Sequence, residues 1–170
     1  MRTHRTVFVS LFAAGLALTA SAFAQISPTT DKEFAKKLAI GGMTEVETCK
    51  LAAGKTSDAK IKSFAERMVA DHTQINEALQ KAASAQGITL PTGLDADRKE
   101  RIGRLQGLSG KGFDDAYKTL MLDDHKATVA LFEDKVRENP KTPIGKFAAD
   151  TLSMLRTHLQ MAEDLASGTR

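Results

Sequence analysis

The chain has little cysteine and almost no excess of charge. Cys49 is the only cysteine among the 170 residues, so no intrachain disulfide can form, and we interpret it as a small core residue. Basic residues number 24 and acidic residues 21, and two basic but no acidic residues fall within the first 24 positions. The rest of the chain is therefore close to neutral, which indicates neither a nucleic acid nor an anionic membrane as a partner.

Long hydrophobic runs are also missing, with one exception near the N-terminus. Positions 7–20 form an unbroken run of apolar and small residues, preceded by two arginines and followed by the small residues that a signal peptidase recognises. A run of about fourteen residues is shorter than the roughly twenty that span a bilayer. We therefore expect residues 1–24 to be a cleaved signal peptide. Residues 25–170 would then be one exported domain, periplasmic or secreted, without stable membrane insertion.

Alternation typical of strands is absent, and apolar residues instead recur at spacings of three and four in four long segments. These segments predict helices from a cap at 29–30 to 53, where Gly54 is placed to end the helix, from just after Ser57 to about 86, from about 113 to 138, and from 143 to about 167. The long connection between the second and third helices contains a short helical stretch at about 95–105. Four amphipathic helices must bury their apolar faces against one another, so the predicted fold is an all-α four-helix bundle.

Every histidine after the predicted signal peptide lies on or beside the apolar stripe of a helix. His72, His125 and His158 belong to the second, third and fourth long helices. A rise of 1.5 Å per residue places each of them near the middle of its helix, so packing brings all three to a similar depth. Since neutral imidazole is the commonest protein ligand for metals, we predict a transition-metal site for iron, manganese, zinc or copper.

Carboxylates accompany these histidines. Asp71 lies on the flank of the second helix's stripe, and Glu45 lies on the apolar face of the first helix. The third helix's stripe includes Leu120 and Leu131, with Asp124 inside it and His125 at its edge. Such carboxylates either bind the metal directly or accept the second ring N–H of a histidine. The candidate metal ligands are therefore His72, His125, His158, Asp71, Asp124 and Glu45.

A methionine precedes each histidine by four residues, at Met68, Met121 and Met154. Residues four apart lie on nearly the same face of a helix, so the spacing predicts a layer of methionines one turn from the histidines. Methionine at this spacing is more often core filling than a ligand.

Three segments resemble a bacterial envelope family known as domain of unknown function 4142: FAERMVADHTQIN, YKTLMLDDHKATVALFED and LSMLRTHLQMAEDLA. The likeness extends over residues 31–166. It implies a ferritin-like four-helix domain in the cell envelope, and it brings no established activity. Ferritin-like di-iron proteins use Glu-x-x-His motifs, and no acidic residue stands three positions before a histidine here, which argues against that type of centre.

Three functions stay open. The first is an exported bundle that binds a transition metal in a storage, protective or redox role. The second is a cofactor-free envelope or stress-associated protein that acts through surface contacts, with a buried His–Asp layer that only fixes helix register. A bundle that responds to acid through its core histidines is a third reading.

No nucleophile in an activating environment indicates an enzyme. Whether the chain forms a homo-oligomer or binds an envelope partner also stays open.

Overall fold

This computed structural model describes residues 30–168 of the chain, and this part contains five helices. They are α1 (Asp31–Lys55), α2 (Ala59–Ala85), α3 (Ala96–Gln106), α4 (Gly110–Glu138) and α5 (Pro143–Ser167). The four long helices and the short one confirm the all-α prediction, and the helix ends differ from it by three residues or fewer. The predicted signal peptide lies outside the described residues.

Side-chain caps define where the helices begin. Thr30 and Glu33 form a reciprocal capping box at the start of α1, and Thr142 accepts the backbone N–H of Gly145 at the start of α5. Asp58 caps α2 by accepting two backbone N–H groups, so this helix begins at Ala59 rather than directly after Ser57. These contacts satisfy amide groups that have no partner within the helix.

Glycine ends α2 and α5 but not α1. Gly87 and Gly168 have φ angles of 65° and 71°, the left-handed conformation that stops a helix. Gly54 was predicted to end α1, but its φ is not positive and α1 continues to Lys55 before Thr56 turns to extended backbone. The prediction of Gly54 as a stop is therefore wrong, because a helix end is fixed by the backbone conformation rather than by residue type.

The long helices form a bundle in which α1 and α5 run in one direction and α2 and α4 in the other. One apolar cluster joins the C-terminal halves of α1 and α5 to the N-terminal halves of α2 and α4, and a second cluster joins the opposite halves. The connection between α2 and α4 allows these two helices to run parallel. Within it, α3 packs against α1 and α4 and contributes one buried side chain, Leu105.

Buried polar side chains form a layer between the two apolar clusters. Along each long helix, these residues stand between the members of one cluster and those of the other. They are Thr44, Glu45, Thr48, Asp71, His72, His125 and His158. The middle of the bundle is thus its most polar buried region, at the level the sequence predicted for the histidines.

None of the helices within residues 30–168 combines the length and apolar character that crossing a bilayer requires.

Candidate metal site

Three helices each place one imidazole in the middle of the bundle. His72 on α2, His125 on α4 and His158 on α5 have exposed fractions of 7%, 2% and 1%. Their ring centroids lie 5.3 to 5.8 Å apart in all three pairings. The three rings therefore form one compact cluster, which we call the histidine triad.

The geometry of the triad suits a single metal ion. One ring nitrogen of each histidine lies within 4.8 Å of the corresponding nitrogens of the other two. Three buried nitrogens of the triad have no hydrogen-bond partner: Nε2 of His72, Nε2 of His125 and Nδ1 of His158. Tetrahedral zinc bound at 2.0 to 2.1 Å would need nitrogens about 3.3 Å apart, so the rings would have to move closer to complete such a site.

Hydrogen bonds at the far side of two rings fix their tautomers. His125 Nδ1 lies 2.8 Å from the backbone carbonyl oxygen of Met121, and His158 Nε2 lies 2.9 Å from Asp71 Oδ2. A carbonyl or an ionised carboxylate only accepts, so we assign the ring proton to these two nitrogens. The unpartnered Nε2 of His125 and Nδ1 of His158 then carry the lone pairs that a metal requires.

Burial favours the neutral, ligating form of His72 and His158. The pKa of His72 falls to about 3, first because burial penalises the charged ring and second because His125 and His158 lie beside it. Burial also lowers the pKa of His158, although its bond to Asp71 opposes the shift. Burial disfavours ionisation of Asp71, but bonds from Arg67 and His158 hold the pKa of that carboxyl below its usual value.

The three candidate carboxylates take different positions. Asp71 bonds His158, which lies on another helix, and not its neighbour His72. Asp124 is partly exposed and forms an ion pair of 2.7 Å with Arg101 of α3. Glu45 is buried and accepts a hydrogen bond from the Cys49 thiol at 3.6 Å. Within residues 30–168, the group of potential ligand atoms that all approach one another contains three imidazoles and no carboxylate.

The helical phase predicted for the third long helix is wrong by one position. His125 is buried at the centre of α4's inner face, whereas Asp124 lies at its partly exposed edge. The prediction placed Leu120 and Leu131 on the inner face, and this rotated the stripe towards Asp124. The buried residues of α4 instead recur mostly every four positions: Phe113, Tyr117, Met121, His125, Val129, Phe132 and Lys135.

The methionine layer has two members rather than three. Met68 and Met121 are buried on the parallel helices α2 and α4, on the same side of the triad. Met154 is 37% exposed, and Leu155 occupies the buried position of α5 instead. Because α5 runs opposite to α2 and α4, a residue four positions before His158 cannot lie in the same layer.

Sequence reasoning missed the side-chain contacts of Arg67 and of Cys49 near the triad. Arg67 donates to Asp71 one turn along α2, a contact that the i, i+4 spacing of the two residues would have suggested. The Cys49 thiol lies 3.2 Å from the hydroxyl of Tyr117 and 3.8 Å from the sulfur of Met121. Burial raises the pKa of the Cys49 thiol well above its usual value, so this thiol is not an activated nucleophile.

A cavity of about 150 Å³ borders the triad on the side of His72. It lies between α1 and α4, and α3 contributes Arg98 to its lining. Gly41, Glu45 and Asp124 also line it.

The family of the chain follows from comparison with known proteins. A family model described as domain of unknown function (DUF4142) matches residues 16–165. The chain belongs to this family. This DUF4142 protein has no match among curated proteins.

Two crystal structures share the fold of the DUF4142 chain. A DUF305 fragment from Deinococcus radiodurans superposes with a TM-score of 0.70 at 11% identity, covering 83% of this chain and 99% of the fragment. A protein from Streptomyces coelicolor described as "putative secreted protein DUF305" gives a TM-score of 0.67 at 15% identity, with 83% and 96% covered. At such low identity the likeness extends to the fold alone.

A ferritin-type di-iron centre does not fit the residues of this DUF4142 chain. Such centres take Glu from two helices and Glu-x-x-His from two others. At the middle of this bundle, the described residues bring together three imidazoles, and Asp71 bonds a ring nitrogen. A single ion held by imidazoles fits this donor set, whereas a carboxylate-bridged pair of ions does not.

Proposed function

We propose that this protein is an exported helical bundle that binds one transition-metal ion through His72, His125 and His158. One observation carries the proposal: three helices bring three buried imidazoles together with one nitrogen of each ring within 4.8 Å of the others, and each ring has one buried nitrogen without a hydrogen-bond partner. A buried polar atom without a partner costs about 1 to 3 kcal/mol, so three together need a compensating ligand. A metal ion would satisfy all three at once.

The donor set favours some metals over others. Three neutral imidazoles suit zinc, copper or ferrous iron, whereas manganese prefers carboxylate oxygens. Asp71 would act as the acceptor that holds the His158 ring and increases its basicity. Three protein ligands leave at least one coordination position for water or another small ligand.

Export is part of the proposal. The N-terminal pattern of a basic start, a short apolar run and small residues supports a signal peptide ending at residue 24. An envelope location would expose the protein to metals from outside the cell. This location accords with a role in metal storage, protection or redox chemistry.

One observation favours the alternative of a cofactor-free envelope protein. The His158–Asp71 bond, supported by Arg67, is the kind of satisfied polar pair that fixes helix register. That pair nevertheless leaves three ring nitrogens of the triad without partners. A purely structural layer would use its histidines as fully bonded groups, so the metal site accounts for more of the geometry.

Elemental analysis of the full chain, expressed without a tag and recovered from the exported fraction, tests the proposal. We expect about one equivalent of zinc, copper or iron per chain after loading and desalting. Changing His72 or His125 to Ala should remove the metal, since each supplies one of only three ligands. Glu45→Gln and Asp124→Asn are matched controls, and both should retain the metal because neither residue belongs to the triad.

Circular dichroism of each variant would confirm that the fold persists. Wild-type protein that binds none of these metals would overturn the proposal, and so would histidine variants that bind as well as wild type. In the cofactor-free alternative, His72→Leu would leave the free energy of unfolding unchanged or higher, with no metal bound to the wild type.

A further inference from the structure

The histidine triad is closed to solvent in this structure. Its three imidazoles are at most 7% exposed, and the nitrogen of each ring that has no hydrogen-bond partner is buried. A hydrated metal ion cannot reach such nitrogens while every helix stays in place. Binding at the triad therefore needs one element of the fold to move aside.

One side of the bundle depends on α3 for its closure. α1 packs closely on α2, α2 on α5 and α5 on α4, so the long helices themselves close three sides. On the fourth side, within residues 30–168, α3 packs against both α1 and α4 and joins them. The cavity of about 150 Å³ lies on this fourth side.

α3 crosses the fourth side at the level of the triad. Its Arg98 lines the cavity that His72 borders. Its Arg101 forms an ion pair of 2.7 Å with Asp124, the residue before His125. α3 therefore lies outside the triad on the side where the long helices pack least closely.

The burial of α3 is small compared with that of the other helices. It has 11 residues and buries one of them, Leu105, whereas each long helix buries seven or more. The ion pair of Arg101 adds little, because the side chains of Arg101 and Asp124 are 29% and 31% exposed. An element that buries so little apolar surface opens at a lower free energy than the whole domain.

The ends of α3 are also weakly held. Lys55 Nζ donates to the carbonyl oxygen of Gln106 at 2.7 Å, but this contact is exposed. At the junction with α4, Leu108 is 40% exposed and Ser109 forms no side-chain cap hydrogen bond. Displacing α3 therefore breaks few contacts, and the four long helices can stay packed on one another.

We propose that α3 is a lid that opens to admit a metal ion to the histidine triad and then closes over it. The inference rests on the proposed function, since the triad is the site that the lid covers. The metal passes only while the lid is open, so both binding and release scale with the open fraction. Loosening the lid should speed both by the same factor and leave the affinity unchanged.

Zinc kinetics on the full-length protein test the lid. In Leu105→Ala, which removes the buried anchor of α3, zinc binding and zinc release to an excess of chelator should both be at least about tenfold faster. The dissociation constant should stay within about threefold of wild type. A damaged site would differ, since faster release would then come with weaker affinity.

Ile144→Ala is the matched control, because it truncates a buried side chain in the other apolar cluster and not on α3. Both of its zinc rates should stay within about twofold of wild type. A second variant serves if Leu105→Ala does not fold. Arg101→Gln removes only a partly exposed ion pair, so it should speed binding and release about two- to fivefold.

Hydrogen exchange of the metal-free protein gives a readout that needs no zinc. Amides of 96–106 should exchange at least about tenfold faster than those in the middle of α2. Equal protection of α3 and α2 overturns the lid. Zinc binding with unchanged rates in Leu105→Ala, or in Arg101→Gln if the former is unfolded, also overturns the lid and leaves the metal site standing. Failure of zinc, copper and iron to bind overturns both proposals.

Discussion

Asp71 and Asp124 precede histidines in two similar segments of the sequence, yet they have different roles in the structure. Consecutive residues point about 100° apart on a helix, so neither aspartate faces the histidine that follows it. Asp71 reaches His158 on α5 at 2.9 Å, whereas Asp124 faces outward and pairs with Arg101. Only Asp71 can therefore control the protonation of a triad nitrogen.

Replacing Asp71 by Asn should weaken metal binding about ten- to a hundredfold. Asn has a similar size but no charge, and its NH₂ group can donate to Nε2 of His158. The ring proton would then move to Nδ1, the nitrogen that needs its lone pair for the metal. Competition titration against a chelator of known affinity at neutral pH would measure the change.

Asp124→Asn is the matched control for this prediction, because it makes the same chemical change next to His125 without touching the triad. Its metal affinity should stay within about twofold of wild type, as expected for a partly exposed ion pair. Equal losses in the two variants would show that Asp71 acts through general electrostatics and not through the His158 ring.

The sequence predicted the position of the histidines along the bundle axis better than it predicted which residues they contact. Height depends only on counting residues from helix ends, which caps such as Thr30 and Thr142 mark clearly. The direction of a side chain around a helix depends on which neighbours pack against it. Including Leu120 in the stripe was therefore enough to place Asp124 on the inner face and His125 at its edge, the reverse of what the structure shows. The Asp71–His158 bond joins two helices, and apolar spacing within one helix does not predict it.

At the scale of whole elements, the turn between α4 and α5 is held by a close approach of backbone to backbone. A Cβ added to Gly145, in the first turn of α5, would lie 1.6 Å from the carbonyl oxygen of Asn139 and 2.7 Å from its carbon. A backbone group cannot move aside as a side-chain tip can. Gly145 therefore fixes how tightly α5 folds back on α4.

Gly145→Ala should lower the free energy of unfolding by about 2 kcal/mol or more, because relieving the clash displaces the turn. Gly41→Ala should instead raise it by about 0.5 to 1 kcal/mol, since alanine favours the helix and nothing lies within 4 Å of its Cβ. Chemical denaturation of both variants measures the two effects. A stable Gly145→Ala protein would contradict the close approach at this turn.

The elements themselves were largely predictable, since apolar spacing and caps located all five helices. Their relative directions required one further fact, namely that the residues between α2 and α4 are numerous enough to cross the bundle. The position of α3 against α1 and α4 was not predictable, because α3 buries only Leu105 and its sequence is dominated by charged residues. Where little apolar surface is buried, sequence pattern gives little information about packing.

At the scale of the whole molecule, the buried polar layer between the two apolar clusters lowers the free energy of unfolding. The imidazoles of the triad are buried from water, and three of their nitrogens have no protein partner. Without a metal, the bundle must therefore draw its stability from the clusters on either side. With a metal, the same layer would connect α2, α4 and α5 directly. The metal-free protein should accordingly have the lower free energy of unfolding.

In the metal-free protein, the free energy of unfolding should fall as the pH falls below about 6.5. Burial lowers the pKa of folded His72 to about 3, from the ordinary histidine value of 6.5 that applies to the unfolded chain. Between these two values the unfolded state binds more protons, so stability is present above pH 6.5 and is lost as the pH decreases. The slope for one such group is about 1.4 kcal/mol per pH unit.

His72→Leu isolates this contribution. The variant cannot bind this proton. Between pH 6.5 and about pH 4.5, its free energy of unfolding should therefore fall by about 2 kcal/mol less than that of wild type. The raised pKa of Glu45 acts with the opposite sign, but it is common to both proteins and cancels in the difference. Urea denaturation in the presence of a chelator, repeated across this pH range, measures both curves. Parallel curves would show that His72 is solvated in the metal-free protein, contrary to its burial beside His125 and His158.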